Sequence, residues 1–308
     1  MKSIALHTGC CETRQRCVLC TPQGQVDGDD VVRVLLEQRE GPVHVFGGAP
    51  PSDTWMSWFT GRDVRIRVRP DLLSRRRAEE LVRQGVVRVE LDALSLNDRL
   101  LRWSGRRYRG SRVVAMATAM RSWGIEVGVV QALGLPAGTL EDALADAVAL
   151  APLVHTVRIH PALVLAGADL EQQWIDKRYF PLSVEAAAEW SRQVMEIYEA
   201  HSVTVLRVGM QPGPDGLGRA VAGPLHPSLR ETVESHRALS RLTVLLSDVP
   251  KGADVVIECA PADLSRTKGA ENHNVRVLRD TYRLASVTVA ADPDLERGHH
   301  RVRRTHHE

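Results

Sequence analysis

The chain has 308 residues, of which 44% are apolar and 25% charged, and it has room for one large domain or two ordinary ones. Its net charge of +2 gives no general argument for nucleic-acid binding. No apolar run approaches the roughly 20 residues that a membrane span needs, and the N-terminus has no long apolar signal core. We therefore expect a cytoplasmic protein that does not bind a membrane.

Short runs rich in Val and Ile alternate with longer helical patterns along most of the chain. These runs predict strands at 3–7, 43–46, 64–68, 87–91, 126–132, 154–159 and 203–208. The patterns between them predict helices at 29–38, 71–84, 111–123, 139–150 and 183–201. A repeated β-α order implies parallel strands with right-handed crossovers. The fold class is therefore α/β, with the sheet closed into a full or partial barrel.

The β-α pattern changes after about residue 245. Residues 253–260, 263–282 and 284–290 predict a strand, a helix and a strand, which are too few to continue the barrel. We therefore expect a barrel domain at 1–245 and a small α/β module at 246–308. The basic, His-rich tail "RGHHRVRRTHHE" is interpreted as a frayed end.

Four cysteines lie within eleven residues just after the first predicted strand: Cys10, Cys11, Cys17 and Cys20. In a reducing compartment such clusters are more often metal ligands or reactive thiols than disulfides. Three interpretations stay open on the cysteines alone. They are a structural zinc site, a redox dithiol at Cys17 and Cys20, and an iron–sulfur cluster held by three thiolates. In parallel barrels chemistry gathers at the carboxyl ends of the strands, which is where this segment falls.

The order of motifs along the chain resembles a known family. A cysteine loop follows the first strand, and a Gly-Gly turn, "FGGAPP" (46–51), follows the second. The stretches 67–110, 125–139, 157–174, 178–187, 206–212, 222–235 and 261–282 are similar, in that order, to one branch of that family. The chain thus resembles the radical S-adenosylmethionine (radical SAM) superfamily, in its elongator catalytic-subunit-like branch. We expect no acetyltransferase domain after residue 245.

The resemblance implies a partial (β/α)6-type radical SAM barrel and two cofactors. A [4Fe–4S] cluster would be held by Cys10, Cys17 and Cys20, with Cys11 as the alternative to Cys10. S-adenosylmethionine would bind the open iron of that cluster. The backbone of Gly47 and Gly48 would accept its amino group. The resemblance also implies an electron donor such as flavodoxin or ferredoxin.

Five positions carry the remaining expectations from the resemblance. Arg106 matches a family Arg that faces the methionine carboxylate, and Gln131 is a candidate for a polar cofactor contact at the end of strand five. His160 stands where relatives carry Tyr, and is the candidate catalytic residue, as a proton donor or substrate ligand. Two positions depart from the family: Leu19 replaces an aromatic residue, and Leu94 replaces a Gln that reaches the ribose.

The sequence therefore predicts a radical SAM enzyme that cleaves S-adenosylmethionine to a 5′-deoxyadenosyl radical. That radical would abstract hydrogen from an unidentified substrate, either tRNA or a small metabolite, and RNA is a candidate partner. The alternative is a non-catalytic barrel that keeps a cluster or zinc and binds RNA or a protein partner. The departures at Leu19, Leu94 and in the cysteine spacing motivate the alternative.

Overall fold

The computed structural model describes residues 4–8, 17, 19, 27–210 and 217–305. The chain divides into two compact units, Met1–Pro227 and Ser228–Glu308. The boundary predicted after residue 245 would have left residues 229–245 with the barrel, whereas this division places them in the second unit.

The first unit alternates strands and helices along the chain. In order, its elements are β1 (Ile4–His7), α1 (Asp29–Gln38), β2 (Val43–Phe46), α2 (Asp53–Trp58), β3 (Val64–Val68), α3 (Arg75–Arg83), β4 (Val86–Leu94), α4 (Asp98–Trp103), α5 (Gly110–Ser122), β5 (Glu126–Leu133), α6 (Leu140–Leu150), β6 (Thr156–Pro161), β7 (Val164–Leu165), α7 (Asp169–Ile175), α8 (Val184–Ala200), β8 (Thr204–Val208) and β9 (Ala220–Ala222).

Seven of these strands form one parallel sheet in the order β1-β2-β3-β4-β5-β6-β8. Neighbours in sequence are neighbours in the sheet, as right-handed β-α crossovers require. The sheet curls into a half-barrel whose first and last strands, as described, do not pair with each other. The predicted α/β fold with a partial barrel is confirmed, and each of the seven predicted strands is present.

Polar residues at the first turn fix where several helices begin. The side chains of Ser52, Ser74 and Ser183 each accept a hydrogen bond from a backbone N–H in the first turn. Thr139 and Asp142 form a reciprocal capping box at the start of α6. Such caps satisfy N–H groups that have no partner within the helix, and each contributes about 1 kcal/mol.

The second unit is a three-stranded sheet packed against helices. Its elements are α9 (Leu229–Leu245), β10 (Asp254–Cys259), α10 (Leu264–Lys268), α11 (His273–Tyr282), β11 (Ser286–Ala291) and β12 (His300–Thr305). The strand order is β11-β10-β12, with β11 parallel and β12 antiparallel to the central strand. The interpretation of the tail as a frayed end is wrong for residues 300–305, because β12 pairs with β10 along its whole length.

No helix in the described part of the chain combines the length and the apolar character needed to cross a membrane.

Candidate functional site at the carboxyl edge of the half-barrel

The two faces of the seven-stranded sheet differ in chemistry. One face is apolar and packs against the helices, as at Ile66, Val89 and Val157. The other face, here called the inner face, carries alternate residues of the same strands. It includes His44, Phe46, Arg65, Arg67, Arg88, Glu90, Asp92, Glu126, Arg158 and His160. Parallel sheets are usually apolar on both faces, so this polar inner face indicates a cavity for a ligand.

The described part of the cysteine segment lies at the carboxyl edge of the sheet. Cys17 is fully buried. It packs with Leu94 at the end of β4, with Ala132 near the end of β5, and with Leu100 and Leu135. Leu19 is partly buried against the same cluster. Cys17 and Leu19 therefore lie at the edge where parallel barrels carry their chemistry.

Leu94, the position where the family has a ribose-binding Gln, is adjacent to Cys17 in space. Its side chain is 5% exposed and lies within the apolar cluster. Its φ of +61° is in the left-handed region, which is unusual for a residue other than Gly, Asn or Asp. An aliphatic side chain fits these apolar surroundings beside Cys17.

The conformation of Gly47 is explained by a close approach of two strand ends. Its φ is +139°, and an added Cβ would lie 2.0 Å from the carbonyl oxygen of Thr8. The hydroxyl of Thr8 donates to the carbonyl oxygens of Phe46 and Ala49, at 3.2 and 2.7 Å. The Gly48 carbonyl accepts from the backbone N–H of Arg69 at 2.8 Å. The Gly-Gly turn therefore lies directly beside Thr8, the residue that follows β1.

Asp92 is the centre of a buried ionic network at the same edge. Its carboxylate accepts from Arg106 at 2.8 Å and from Arg67 at 3.3 Å. Tyr108 adds a hydroxyl that donates to the backbone carbonyls of Asp92 and Ala93. Burial alone would raise the pKa of Asp92, but Arg106 and Arg67 outweigh burial and hold it well below its usual range. Asp92 is therefore ionised at any ordinary pH.

Arg106 lies within the Asp92 network. It is 3% exposed, and one nitrogen of its guanidinium donates to Asp92. A guanidinium has five N–H donors, so this bond leaves the expected contact with the methionine carboxylate as a prediction.

Gln131 differs from the expectation drawn from the resemblance. Its Nε2 donates to the Ala143 carbonyl at 2.7 Å, and its Oε1 accepts from the Tyr198 hydroxyl at 2.7 Å. Both partners belong to helices on the apolar side of the sheet, and Gln131 is fully buried. Its two polar ends are used in packing, so the prediction of a cofactor contact is not supported.

His160 lies on the inner face, near the carboxyl end of β6. Burial lowers its pKa, Arg67 lowers it further, and the result is a pKa of about 3 despite the opposing charge of Asp92. Its Nε2 is buried and has no hydrogen-bond partner in the described part of the chain. His160 is therefore a neutral imidazole at physiological pH. In that state it can donate or accept a hydrogen bond, but it carries no extra proton to give.

Arg69, which follows β3, is a second buried arginine at this edge, and it was not predicted from the sequence. Its side chain is fully buried, and Asp71 accepts two hydrogen bonds from it, at 3.0 and 2.6 Å. Asp92 was not predicted either, because the predicted fourth strand ended at residue 91. Charged and apolar residues alternate in "VRIRV" (64–68) and "VRVELDAL" (87–94). This alternation is the signal in the sequence that one face of these strands is charged.

Three of the four N-terminal cysteines, Cys10, Cys11 and Cys20, lie outside the described residues. Among the residues that are described, no group of three or more His, Cys, Asp or Glu side chains is arranged to hold a metal ion. Of the predicted cluster ligands, Cys17 alone is among the described residues. The other predicted ligands therefore stay a prediction.

Comparison with known proteins agrees with this geometry. Residues 154–239 match the family model of the Radical_SAM C-terminal domain. The curated tRNA uridine(34) acetyltransferase of Dehalococcoides mccartyi is 29% identical over 124 residues, which are 38% of this chain and 26% of that protein. The chain thus spans about a quarter of the length of this curated relative.

Solved structures share the fold. An archaeal Elp3 from Methanocaldococcus infernus has a TM-score of 0.57 at 14% identity, covering 83% of this chain and 70% of its own. Streptococcus suis SuiB bound to S-adenosylmethionine has a TM-score of 0.52 at 11% identity, covering 67% of this chain and 50% of its own. Coproporphyrinogen III oxidase (HemN) from Escherichia coli, a radical SAM enzyme, has a TM-score of 0.50 at 15% identity, covering 65% and 52%.

The parallel half-barrel is the fold that these solved structures share with this chain. The resemblance to the radical SAM superfamily is confirmed, and the curated relative supports its elongator-like branch.

Proposed function

We propose that this chain is a radical SAM enzyme. Its [4Fe–4S] cluster would be held by Cys17, Cys20 and Cys10, with Cys11 as the alternative to Cys10. The observation that carries the proposal is the position of Cys17, buried against Leu94 and Ala132 where β4 and β5 end. A thiolate ligand at this edge would lie at the end of a half-barrel whose inner face is polar, which suits a cluster that binds a cofactor.

When bound, the cluster supplies one electron that cleaves S-adenosylmethionine to methionine and a 5′-deoxyadenosyl radical, which abstracts hydrogen from the substrate. The apolar cluster of Cys17, Leu94, Leu100, Ala132 and Leu135 excludes water from the edge, as a reactive intermediate requires. The proposal assigns the amino group of the cofactor to the turn at Gly47 and Gly48 and its carboxylate to Arg106. It assigns no cofactor contact to Gln131, because both polar ends of that side chain are engaged within the protein.

His160 has a positioning role in this proposal. Its neutral imidazole, next to Asp92 and Arg67 on the inner face, offers a hydrogen bond to a substrate in the cavity. The sequence suggested proton donation as its role, but a pKa of about 3 leaves no proton to donate near neutral pH. We therefore keep substrate binding and drop general acid catalysis for this residue.

The substrate and partners belong to the same proposal. A curated relative is named a tRNA uridine(34) acetyltransferase, which keeps tRNA as one candidate substrate and RNA as a candidate partner. A small metabolite is the other candidate substrate. The single electron would come from a donor such as flavodoxin or ferredoxin, because the proposed reaction consumes one electron for each cofactor cleaved.

The test uses protein reconstituted with iron and sulfide under anaerobic conditions. We expect about four irons per chain, as a three-thiolate cubane has, and release of 5′-deoxyadenosine when dithionite and S-adenosylmethionine are added. Cys17→Ser should lose both iron and product. Cys259→Ser is the matched control, because Cys259 is also buried but lies in β10 of the second unit.

Three outcomes would contradict the proposal in different ways. A colourless protein with one tightly held zinc would favour the structural-metal alternative. A complete cluster that yields no 5′-deoxyadenosine at millimolar cofactor would favour the non-catalytic barrel that binds RNA or a protein. Equal iron loss in Cys17→Ser and Cys259→Ser would show that unfolding, and not ligand removal, explains the effect.

A further inference from the structure

The inner face and the loop beside it carry more arginines than carboxylates. Among the described residues, the guanidinium groups there are those of Arg65, Arg67, Arg88, Arg106, Arg158 and Arg207. The carboxylates described among them are those of Glu90, Asp92 and Glu126. Within this described set, positive charges exceed negative charges by three. Burying like charges together is costly unless an anion compensates them.

All three carboxylates are already engaged by arginines of the same face. The ion pairs are Glu90 with Arg158 at 2.6 Å, Asp92 with Arg67 and Arg106 at 3.3 and 2.8 Å, and Glu126 with Arg88. None of the three carboxylates is left to neutralise another guanidinium.

Arg65 and Arg207 are the arginines left over. In the described part of the chain, neither has an ion-pair or hydrogen-bond partner, and the Nε of Arg65 is buried. The positive charges on this face lower the pKa values of neighbouring groups. Burial and the charges of Arg65, Arg88 and Arg158 lower the pKa of His44. Burial and the charge of Arg158 lower the pKa of Arg207.

Four of these arginines converge on one recess. Its lining is His44, Phe46, Arg65, Arg67, Arg88, Glu90 and Arg158, with backbone at Val45 and Ile66. Arg65 lies three residues before the end of β3, so its Cα is about 10 Å below the edge where Cys17 lies. The recess is therefore deeper in the half-barrel than the edge to which we assign the cofactor.

We propose that this recess binds an oxyanion, a phosphate or carboxylate group, between Arg65 and Arg158. Arg207 lies outside the lining and adds positive charge near Arg158. Guanidinium groups match these anions because their N–H donors lie in one plane and can make paired hydrogen bonds. The neutral His44 adds a donor that brings no further positive charge. Resting on the proposed function, the oxyanion group belongs to the substrate, which is anchored in the recess while its reacting carbon lies towards the edge.

The test measures binding of two probe anions to the reconstituted protein by titration calorimetry. Inorganic phosphate and succinate are compared at an ionic strength held constant with sodium chloride. We expect saturable binding of at least one of these anions. A tenfold preference for phosphate or for succinate would identify the oxyanion group of the substrate as a phosphate or a carboxylate. Arg65→Gln should weaken that binding by roughly tenfold to a hundredfold, the range for hydrogen bonds to charged groups. Arg207→Gln, which removes a charge outside the lining, should weaken it less.

The control variant is Arg76→Gln, which removes an exposed arginine of α3 that pairs with Glu80. It should bind the anion as the wild type does. Without anion, Arg65→Gln should melt at the same temperature as the wild type or higher, because one unpaired charge has gone. A lower melting temperature together with unchanged binding would overturn the proposal, since Arg65 would then be structural.

The result is separable from the test of the proposed function, because binding is measured without turnover. Anion binding in a protein that releases no 5′-deoxyadenosine would support the recess and contradict the enzyme. Release of 5′-deoxyadenosine with no binding of phosphate or succinate would contradict the recess alone. Binding of an oligoribonucleotide without binding of either small anion would also overturn the recess and place the anionic partner on another surface.

Discussion

At the scale of single residues, Gly47 makes a close contact that no other residue type could make. Its φ of +139° and the 2.0 Å distance that would separate an added Cβ from the Thr8 carbonyl oxygen both exclude a side chain. We expect Gly47→Ala to lower the free energy of unfolding by more than about 2 kcal/mol, measured by urea denaturation. Gly61 also has a positive φ, of +77°, but its Cβ would meet nothing within 4 Å.

Gly61→Ala therefore isolates the cost of the backbone conformation, which we expect to be about 1 kcal/mol. If the two variants lose the same free energy of unfolding, the close approach of Gly47 to Thr8 adds no cost beyond that of the backbone conformation, which would contradict this prediction.

Leu94 tests whether the edge beside Cys17 is apolar. Its side chain is 5% exposed and packs against Cys17, Leu100 and Ala132. Leu94→Gln restores the residue type of the family but places an amide in an apolar cluster. We expect a loss of about 2–3 kcal/mol in the free energy of unfolding. Leu225→Gln is the control, because Leu225 is 42% exposed and should change stability by less than about 0.5 kcal/mol. Equal effects would mean that the edge is hydrated.

At the scale of elements, the turn after β4 is fixed by a carboxyl group from α6. The hydroxyl of Ser95 donates to Asp146 at 2.5 Å, and the backbone N–H of Leu96 donates to it at 3.0 Å. The N–H of Asn97 in turn donates to the Ser95 hydroxyl at 3.0 Å. These bonds hold the segment that follows Leu94, so α6 contributes to the geometry of the edge.

Asp146 predicts a pH dependence with a definite sign. Burial raises its pKa from 3.8 to about 6, against the opposing effect of the hydrogen bonds from Ser95 and Leu96. A raised folded-state pKa stabilises the protein below pH 3.8, and that contribution is lost as the pH rises through 6. Asp146→Asn cannot ionise. Its free energy of unfolding relative to wild type should therefore rise by up to about 2–3 kcal/mol between about pH 4 and pH 7.

The measurement is urea denaturation of both proteins at several pH values, and only the difference between them is used, so other titrating groups cancel. Asp142→Asn gives a comparison from the same helix, where the side chain is a surface cap and not a buried group. A difference between Asp146→Asn and wild type that does not vary with pH would show that the carboxyl group titrates in its ordinary range.

The elements that the sequence predicted are those with a regular pattern. β2, β3 and α1 begin and end at the predicted residues, because Val-rich strands and an amphipathic helix have clear periods. The strand at β4 was predicted too short, since Asp has a low preference for strands and its two arginine partners are distant in sequence. Short helices such as α2 and α4, with six residues each, offer fewer than two turns of pattern and were not predicted.

At the scale of the whole molecule, the sequence predicted which segments lie at one edge of the sheet but not which side chains pair with each other. Motif order placed Gly47, Leu94 and the cysteine segment at one edge, and the structure brings the described members together there. The partners of Arg106 and Gln131 could not be predicted. A strand pattern shows which face a side chain is on, but an ion pair such as Arg106 with Asp92 depends on loop geometry. The positive cavity is visible only once all strands are assembled.

The division of the chain gives a prediction about independent folding. The core of the second unit is Leu242, Leu246, Val255, Ile257, Leu278 and Leu284. Leu242 is on α9, a helix that the sequence-based boundary at 245 and 246 assigned to the barrel. Without α9, one face of the sheet loses its cover and its apolar side chains meet water. The fragment 228–308 should therefore fold by itself, whereas 246–308 should not.

Circular dichroism and urea denaturation of the two fragments test this expectation. The longer fragment should unfold cooperatively, and Leu242→Ala in it should cost about 2–5 kcal/mol, as truncation of a buried leucine does. Val244→Ala is the matched control, because Val244 lies on the same helix and is 72% exposed. A cooperative transition in 246–308 would show that α9 is not needed for the second unit and would restore the boundary inferred from the sequence.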